Sequence, residues 1–231
     1  MQPDFSQIHM GYTNYVFDLY GTLVDIHTDE GRPEFWQSMA DWYSAYGADW
    51  TGGQLWHAYL ETVRQEEEKL AERLGCSYPE IQLEKVFLRL LKEAPASHFA
   101  EGRPAGAEEE KVWLQAAANM FRTLSRDRLC AFDGAAEMLR RLKNSGKRVF
   151  LLSNAQRIFT VPELEQCGIA DCFDDIFISS DRGIKKPEPR FLMELMEKHG
   201  MTRADTVMIG NDPDTDMAVA KACGITGILV S

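Results

Sequence analysis

Asn14-Tyr-Val-Phe-Asp18-Leu-Tyr20-Gly21-Thr22 is the stretch on which the reading of the fold turns. The run up to Asp18 is short, β-prone and almost continuously apolar. It reads as a buried strand that ends on a carboxylate and a tight turn. What lies downstream decides which sheet it joins. From Asp133 onward the pattern alternates. A helix over 134–145 precedes a strand over 148–152, which runs into Ser153-Asn154. A helix near 161–167 precedes a strand over 176–179. A helix over 189–199 precedes a strand over 206–209, which runs into Gly210-Asn-Asp-Pro-Asp-Thr-Asp216. A helix over 216–223 precedes a last strand over 227–230. Each of these helices stops at a glycine: Gly146, Gly168, Gly200 and Gly224. Strands alternating with helices imply parallel βαβ units and a doubly wound sheet.

Between the first strand and this alternation the character is different. Segment 33–46 opens on Pro33 and closes at Gly47, as a helix does. Thr51-Gly-Gly-Gln54 has capping-box spacing, and Leu55, Tyr59, Val63, Leu70 and Leu74 then recur at helical intervals up to Gly75. A third helix holds Val86, Leu88, Leu90 and Leu91, a Gly/Pro-rich loop spans 97–107, and a fourth helix spans 108–124 with acidic residues in its first turn. The expectation is an α/β doubly wound, Rossmann-like parallel-sheet core, residues 1–27 and 128–231, with an α-helical cap inserted at 28–127. Hinges are expected near 25–31 and 125–133.

The chain has 231 residues, 45% of them hydrophobic and 26% charged, which places it among ordinary globular chains. A formal net charge of -11 argues against a broad nucleic-acid or anionic-membrane surface, though one local cluster can still receive an anion. The five cysteines form no CxxC pair, so neither a disulfide framework nor a zinc site is expected. No apolar run reaches membrane-spanning length and no signal peptide is recognisable, so a cytoplasmic setting is expected.

Ligands of open parallel sheets bind beyond the carboxyl ends of the strands. Four such ends carry polar residues: Asp18 and Thr22; Ser153 and Asn154; Lys185 and Lys186 before Pro187; and Asn211, Asp212, Asp214 and Asp216. Carboxylates gathered there would repel one another or take up protons unless a hard cation such as Mg²⁺ joined them.

In this order the motifs resemble those of the haloacid dehalogenase superfamily. Asp18-Leu-Tyr-Gly-Thr22 is similar to its first motif, Ser153 to the second, Lys186-Pro187 to the third and Gly210-Asn-Asp-Pro-Asp-Thr-Asp216 to the acidic fourth. The helical insertion after motif one also matches. The resemblance implies that Asp18 attacks the substrate and becomes a covalent intermediate. It implies that Thr22 steadies the first loop, and that Ser153 with backbone amides around Gly21 and Asn154 holds an anionic oxygen. Lys186 would pair with Asp18 and offset charge in the transition state. Mg²⁺ would lie between the Asp18 side chain, the Tyr20 carbonyl and the fourth motif, with Asp212 favoured over Asn211 as a ligand and Asp216 direct or through water.

Two departures matter. Phosphatases of the family carry an aspartate two residues after the nucleophile, as acid and then base. Here Tyr20 stands there, the form familiar from the 2-haloacid dehalogenase branch, which works without metal. In motif four Asn211 stands where the first metal-binding aspartate is usual. Three readings follow: a Mg²⁺-dependent phosphatase of a small phosphorylated metabolite or acyl phosphate, a metal-independent 2-haloacid dehalogenase, and a non-catalytic phosphate-binding protein. Each takes a small anionic molecule, and none takes nucleic acid or membrane. The ring of Tyr20 is expected either to fill the space of the missing aspartate or to touch substrate. Most cap aromatics (Trp36, Trp42, Tyr43, Tyr46, Trp50, Trp56) are expected in the bundle core. Lys185 is expected to be a surface charge, and Asp214 a loop residue or cap. His27 is the histidine nearest the site in sequence; His98 lies in the cap loop.

Overall fold

The computed structural model describes residues 2–95 and 103–230. The predicted loop over 97–107 lies outside them as far as residue 102, and so does His98. The chain divides into two compact units. One comprises Met1–Ile26, Leu70–Glu80 and Arg128–Ser231; the other comprises His27–Lys69 and Ile81–Asp127.

The first unit is the α/β one. Its sheet contains β1 (Asn14–Phe17), β4 (Arg148–Ser153), β5 (Asp175–Ile178), β6 (Thr206–Gly210) and β7 (Thr226–Leu229), in the order β5-β4-β1-β6-β7. Every pair is parallel, and β1 is flanked by β4 and β6, with Phe17 opposite Leu151 and Ile209. Because successive side chains on a strand face opposite ways, one strand serves two cores. Tyr15, Phe17, Val149, Leu151, Val207 and Ile209 join one cluster with Leu139 and Leu142 of α5 (Ala135–Asn144). Val16, Phe150, Leu152 and Met208 join the other, with α8 (Pro189–Lys198) and α9 (Ala218–Cys223). The helices α6 (Arg157–Gln166) and the short α7 (Ser179–Arg182) complete this unit. Helix α6 starts four residues before its expected start, and α7 was not anticipated.

The second unit is built on α1 (Pro33–Ser44), the first part of α2 (Gly52–Leu74), α3 (Leu83–Lys92) and α4 (Ala107–Ser125). Its interior is aromatic. Trp36, Tyr43, Phe87, Trp113 and Phe121 are buried, and Phe35 meets both Trp36 and Phe121 edge-on at 5.0 Å. Trp42 and Tyr46 pack on Trp113, and Trp50 donates its indole N–H to the Leu90 carbonyl at 3.1 Å. Of the six aromatics expected in the bundle core, Trp36 and Tyr43 are buried, while Trp42, Tyr46, Trp50 and Trp56 are half-buried at its margin.

Two features differ from the sequence reading. A two-stranded ribbon, β2 (Val24–Thr28) with β3 (Arg126–Ala131), accompanies the chain where it leaves and re-enters the α/β unit. Its residues are mostly half-buried or exposed and rich in charge, so no apolar alternation announced it. Within the expected cap stretch 28–127, Leu70–Glu80 belongs to the α/β unit. Leu74 and Cys76 lie against the Val16–Phe150 cluster, and Leu74 Cδ1 sits 3.1 Å from where a Cβ on Gly183 would be.

Candidate active site

Asp18 is the first residue past β1, and its amide still donates to the Ile209 carbonyl at 2.9 Å. The chain then reverses around one acceptor: the amides of Thr22, Leu23 and Val24 all donate to Leu19 O, at 3.2, 2.7 and 3.0 Å. Gly21 turns there at φ +80°, and its amide donates to Val24 O at 2.8 Å. A side chain at position 21 would be strained twice over, because its Cβ would also lie 2.6 Å from the Asn211 amide. The turn brings Thr22 back beneath Asp18. Its buried hydroxyl lies 3.3 Å from Asp18 Oδ2 and 3.0 Å from Asn211 Oδ1.

Lys186 lies beyond β5, on the loop that follows the short α7. Asn154 holds its backbone from both sides: Lys186 N donates to Asn154 Oδ1 at 2.8 Å, and Asn154 Nδ2 donates to Lys186 O at 3.0 Å. The peptide bond from Lys186 to Pro187 is cis. The ammonium is 2.6 Å from Asp18 Oδ1 and 2.6 Å from Asp216 Oδ1, and the side chains of Lys186 and Asp216 are each 1% exposed. Burial opposes the charge on Lys186, but the Asp18 and Asp216 carboxylates outweigh it and hold the ammonium above its ordinary value. One cation faces two anions in a dry place. The surplus negative charge shows at Asp216, which burial pushes up against the pull of Lys186.

Asp216 is anchored through its second oxygen, which accepts from the Asp212 amide at 3.1 Å. It fits only because position 210 is glycine: a Cβ there would lie 2.2 Å from Asp216 Oδ2. The turn Pro213–Met217 that delivers Asp216 is a short π-helix, capped by the Asp212 carboxylate accepting from Asp214 N at 2.8 Å.

The structure therefore brings together Asp18, Thr22, Lys186 and Asp216, with Asn154 behind Lys186. Ser153 ends β4, the strand beside β1, and is 1% exposed. Its Oγ is buried and has no hydrogen-bond partner among the described residues. In the fourth motif, Asp212 Oδ1 accepts from Asp214 N, Asp216 pairs with Lys186, and the Asn211 side chain meets the Thr22 hydroxyl of the first loop. Asp214 is exposed, and Lys185 is half-buried with its Nζ 4.0 Å from Glu80 Oε2. His27 pairs with Asp127 at 2.8 Å, both side chains largely exposed.

Tyr20 is half-buried against the β1 core cluster. Its hydroxyl lies 3.2 Å from Thr160 Oγ1 and donates in a close contact to Glu163 Oε2, both on α6. Glu163 is a buried carboxylate at 2% exposure that sequence reasoning missed. A glutamate on a helix that also contains Pro162 carries no signal of this partnership, which appears only when α6 is placed beside the first loop.

Among the described residues, no three His, Cys, Asp or Glu side chains gather as an ion cage. The donors that face the first loop are oxygens: the Asp18 carboxylate and the Asn211 amide oxygen, both within reach of the Thr22 hydroxyl.

A family model described as haloacid dehalogenase-like hydrolase matches residues 12–224. Among curated proteins, a glyceraldehyde 3-phosphate phosphatase of Methanothermobacter thermautotrophicus is 31% identical over 100 residues, 43% of this chain and 44% of that protein. A phosphoglycolate phosphatase of Nitrosococcus oceani is 31% identical over 147 residues, 62% of each chain. The matched stretches thus span less than two thirds of these relatives' length. A solved 2-haloacid dehalogenase from Pseudomonas syringae pv. Tomato superposes with a TM-score of 0.61 at 18% identity, covering 94% of this chain and 86% of that one. At that identity the likeness is one of fold.

Proposed function

We propose, for a chain that belongs to the haloacid dehalogenase-like hydrolases, that it is a Mg²⁺-dependent phosphatase working through Asp18. The observation that carries this reading is the buried, partnerless Ser153 Oγ on the strand next to the Lys186-paired Asp18. A buried hydroxyl without a partner costs free energy unless a ligand supplies one, and a phosphoryl oxygen is such a partner. The names of the curated relatives point to the same reaction class.

In the first step Asp18 Oδ2, whose described contact is the 3.3 Å one to Thr22, attacks phosphorus. The bond from phosphorus to the leaving oxygen breaks and an aspartyl phosphate forms. Lys186 holds the other Asp18 oxygen and offsets charge as it spreads over the phosphoryl group. In the second step water attacks the same phosphorus, inorganic phosphate leaves and the Asp18 carboxylate is restored. Oxygen donors suit magnesium, which keeps several of its waters. Asp18, the Tyr20 carbonyl and the start of the fourth motif, through Asn211 or Asp212, would hold it, while Asp216 is engaged at both oxygens, by Lys186 and by the Asp212 amide. When bound, it would supply positive charge against the phosphoryl oxygens.

Tyr20 directs its hydroxyl at Glu163 and Thr160. The missing aspartate therefore has no carboxyl replacement at position 20, which favours leaving groups stable as anions, acyl phosphates foremost.

The test is phosphate release from acetyl phosphate and a panel of phosphomonoesters, in Mg²⁺ and in EDTA, with Asp18→Asn as control. Release that needs both Mg²⁺ and Asp18 supports the reading; its absence on every substrate sinks it. The Tyr20 side chain favours a second reading, a 2-haloacid dehalogenase, for which halide release would persist in EDTA.

A further inference from the structure

The segment Leu70–Glu80 runs alongside the loop that presents Lys186. Pro79 and Ile184 form an antiparallel bridge. Glu80 N donates to Gly183 O and Lys185 N donates to Tyr78 O, each at 3.0 Å, while Arg190 Nη1 donates to Leu74 O at 3.2 Å. At the end of this segment the Glu80 side chain, 14% exposed, points its two oxygens at two different loops. Oε1 accepts from Gln156 Nε2 at 2.9 Å, on the loop that follows Ser153. Oε2 lies 3.1 Å from Ser179 Oγ, at the head of the stretch that leads to Lys186, and shares that hydroxyl's one proton with the Ala155 carbonyl, also at 3.1 Å. The same Ser179 oxygen accepts from Ala155 N at 2.8 Å, so the two loops are already in register where Glu80 joins them. A carboxylate can accept several hydrogen bonds at once, which lets one side chain tie two backbones.

We infer that Glu80 is a positioning residue: it ties the loop after β4 to the loop after β5, and so sets where Lys186 and Ser153 stand around Asp18. This rests on reading the site as phosphoryl-transferring. Transition-state contacts are steep in distance, and a misplacement of about 1 Å at a remote support can cost about 10²-fold in rate. Glu80 acts through Gln156, Ser179 and the Asn154–Lys186 clasp, and is assigned no contact with substrate.

The experiment uses the full chain and its Glu80→Ala, Glu80→Gln and Glu80→Asp variants. It measures kcat and KM for acetyl phosphate in Mg²⁺, the Ki of orthovanadate as a transition-state mimic, and Tm. Expected is a fall in kcat of roughly 10- to 100-fold for Glu80→Ala, with KM within about threefold. The vanadate Ki should rise by the factor by which kcat/KM falls, because both report transition-state binding. Glu80→Gln, isosteric and able to fold if the alanine variant does not, should show the same pattern more weakly, and Glu80→Asp should recover part of the loss. Variants that lower Tm while kcat and vanadate Ki stay at wild-type values overturn the inference and leave the phosphatase reading standing. A wild-type chain that releases no phosphate overturns that reading, and the inference with it.

Discussion

Ser153 has a buried Oγ with nothing to bind among the described residues, and that makes its removal informative. Ser153→Ala should leave Tm unchanged or slightly raised, since an unsatisfied polar atom disappears, while kcat/KM falls roughly 10- to 100-fold. Thermal melts beside phosphate-release kinetics check both halves. Lys186 makes the opposite case. Truncating Lys186→Ala leaves Asp18 and Asp216 buried and uncompensated, which should cost about 3–5 kcal/mol as well as activity. Adding Asp216→Asn to that variant should return much of the stability and none of the activity, measured by denaturant unfolding. Asp18, Thr22, Ser153 and Lys186 could be singled out in the sequence because each lies in a recognisable motif at or beyond the end of a strand. Charge alone favours Asp212 over Asn211 as a ligand, and sequence does not show that Asp212 Oδ1 caps its own turn while Asn211 Oδ1 meets Thr22. Glu80 and Glu163 were invisible, because neither lies in a motif and each matters only through a neighbour distant in sequence.

At the scale of elements, two glycines set how close the first and fourth motifs can come. Gly21→Ala puts a side chain at φ +80° and against the Asn211 amide at 2.6 Å, and should destabilise by about 1–3 kcal/mol. Gly210→Ala meets the Asp216 side chain at 2.2 Å and should be the more damaging of the two for activity, since Asp216 must move away from Lys186. Urea titration and kinetics on both variants check the order. The strands β1, β4 and β6 were readable because buried parallel strands are continuous apolar runs, whereas the edge strand β7 is short and largely exposed and was marked only by its place after a helix. The ribbon of β2 and β3 was not, because its stability lies in its own pairing and its side chains carry charge into solvent. Helix α2 was readable to its last turn, but periodicity reports only that a face is apolar, not which body it packs on. Leu74 belongs to the α/β core for that reason.

At the scale of the molecule, acid stability has a traceable contributor outside the site. Burial pushes Asp175 up, but Lys198, His199 and the Ile176 amide more than offset it and hold the carboxylate below its ordinary value. A depressed carboxylate favours the folded state above its unfolded pKa of about 3.9, and that advantage is lost as pH falls through the folded value. The Tm difference between wild type and Asp175→Asn should therefore be widest above about pH 5 and narrow toward pH 3, which calorimetry across that range checks.

The covalent route of the chain has its own consequence. It passes between the two units four times, after Ile26, Lys69, Glu80 and Asp127. Recombination between homologous enzymes that exchanges the whole insertion in one cut would therefore import a foreign brace for Lys186. Chimeras that swap only the two outer pieces and retain Leu70–Glu80 are the ones in which donor helices and native chemistry can coexist.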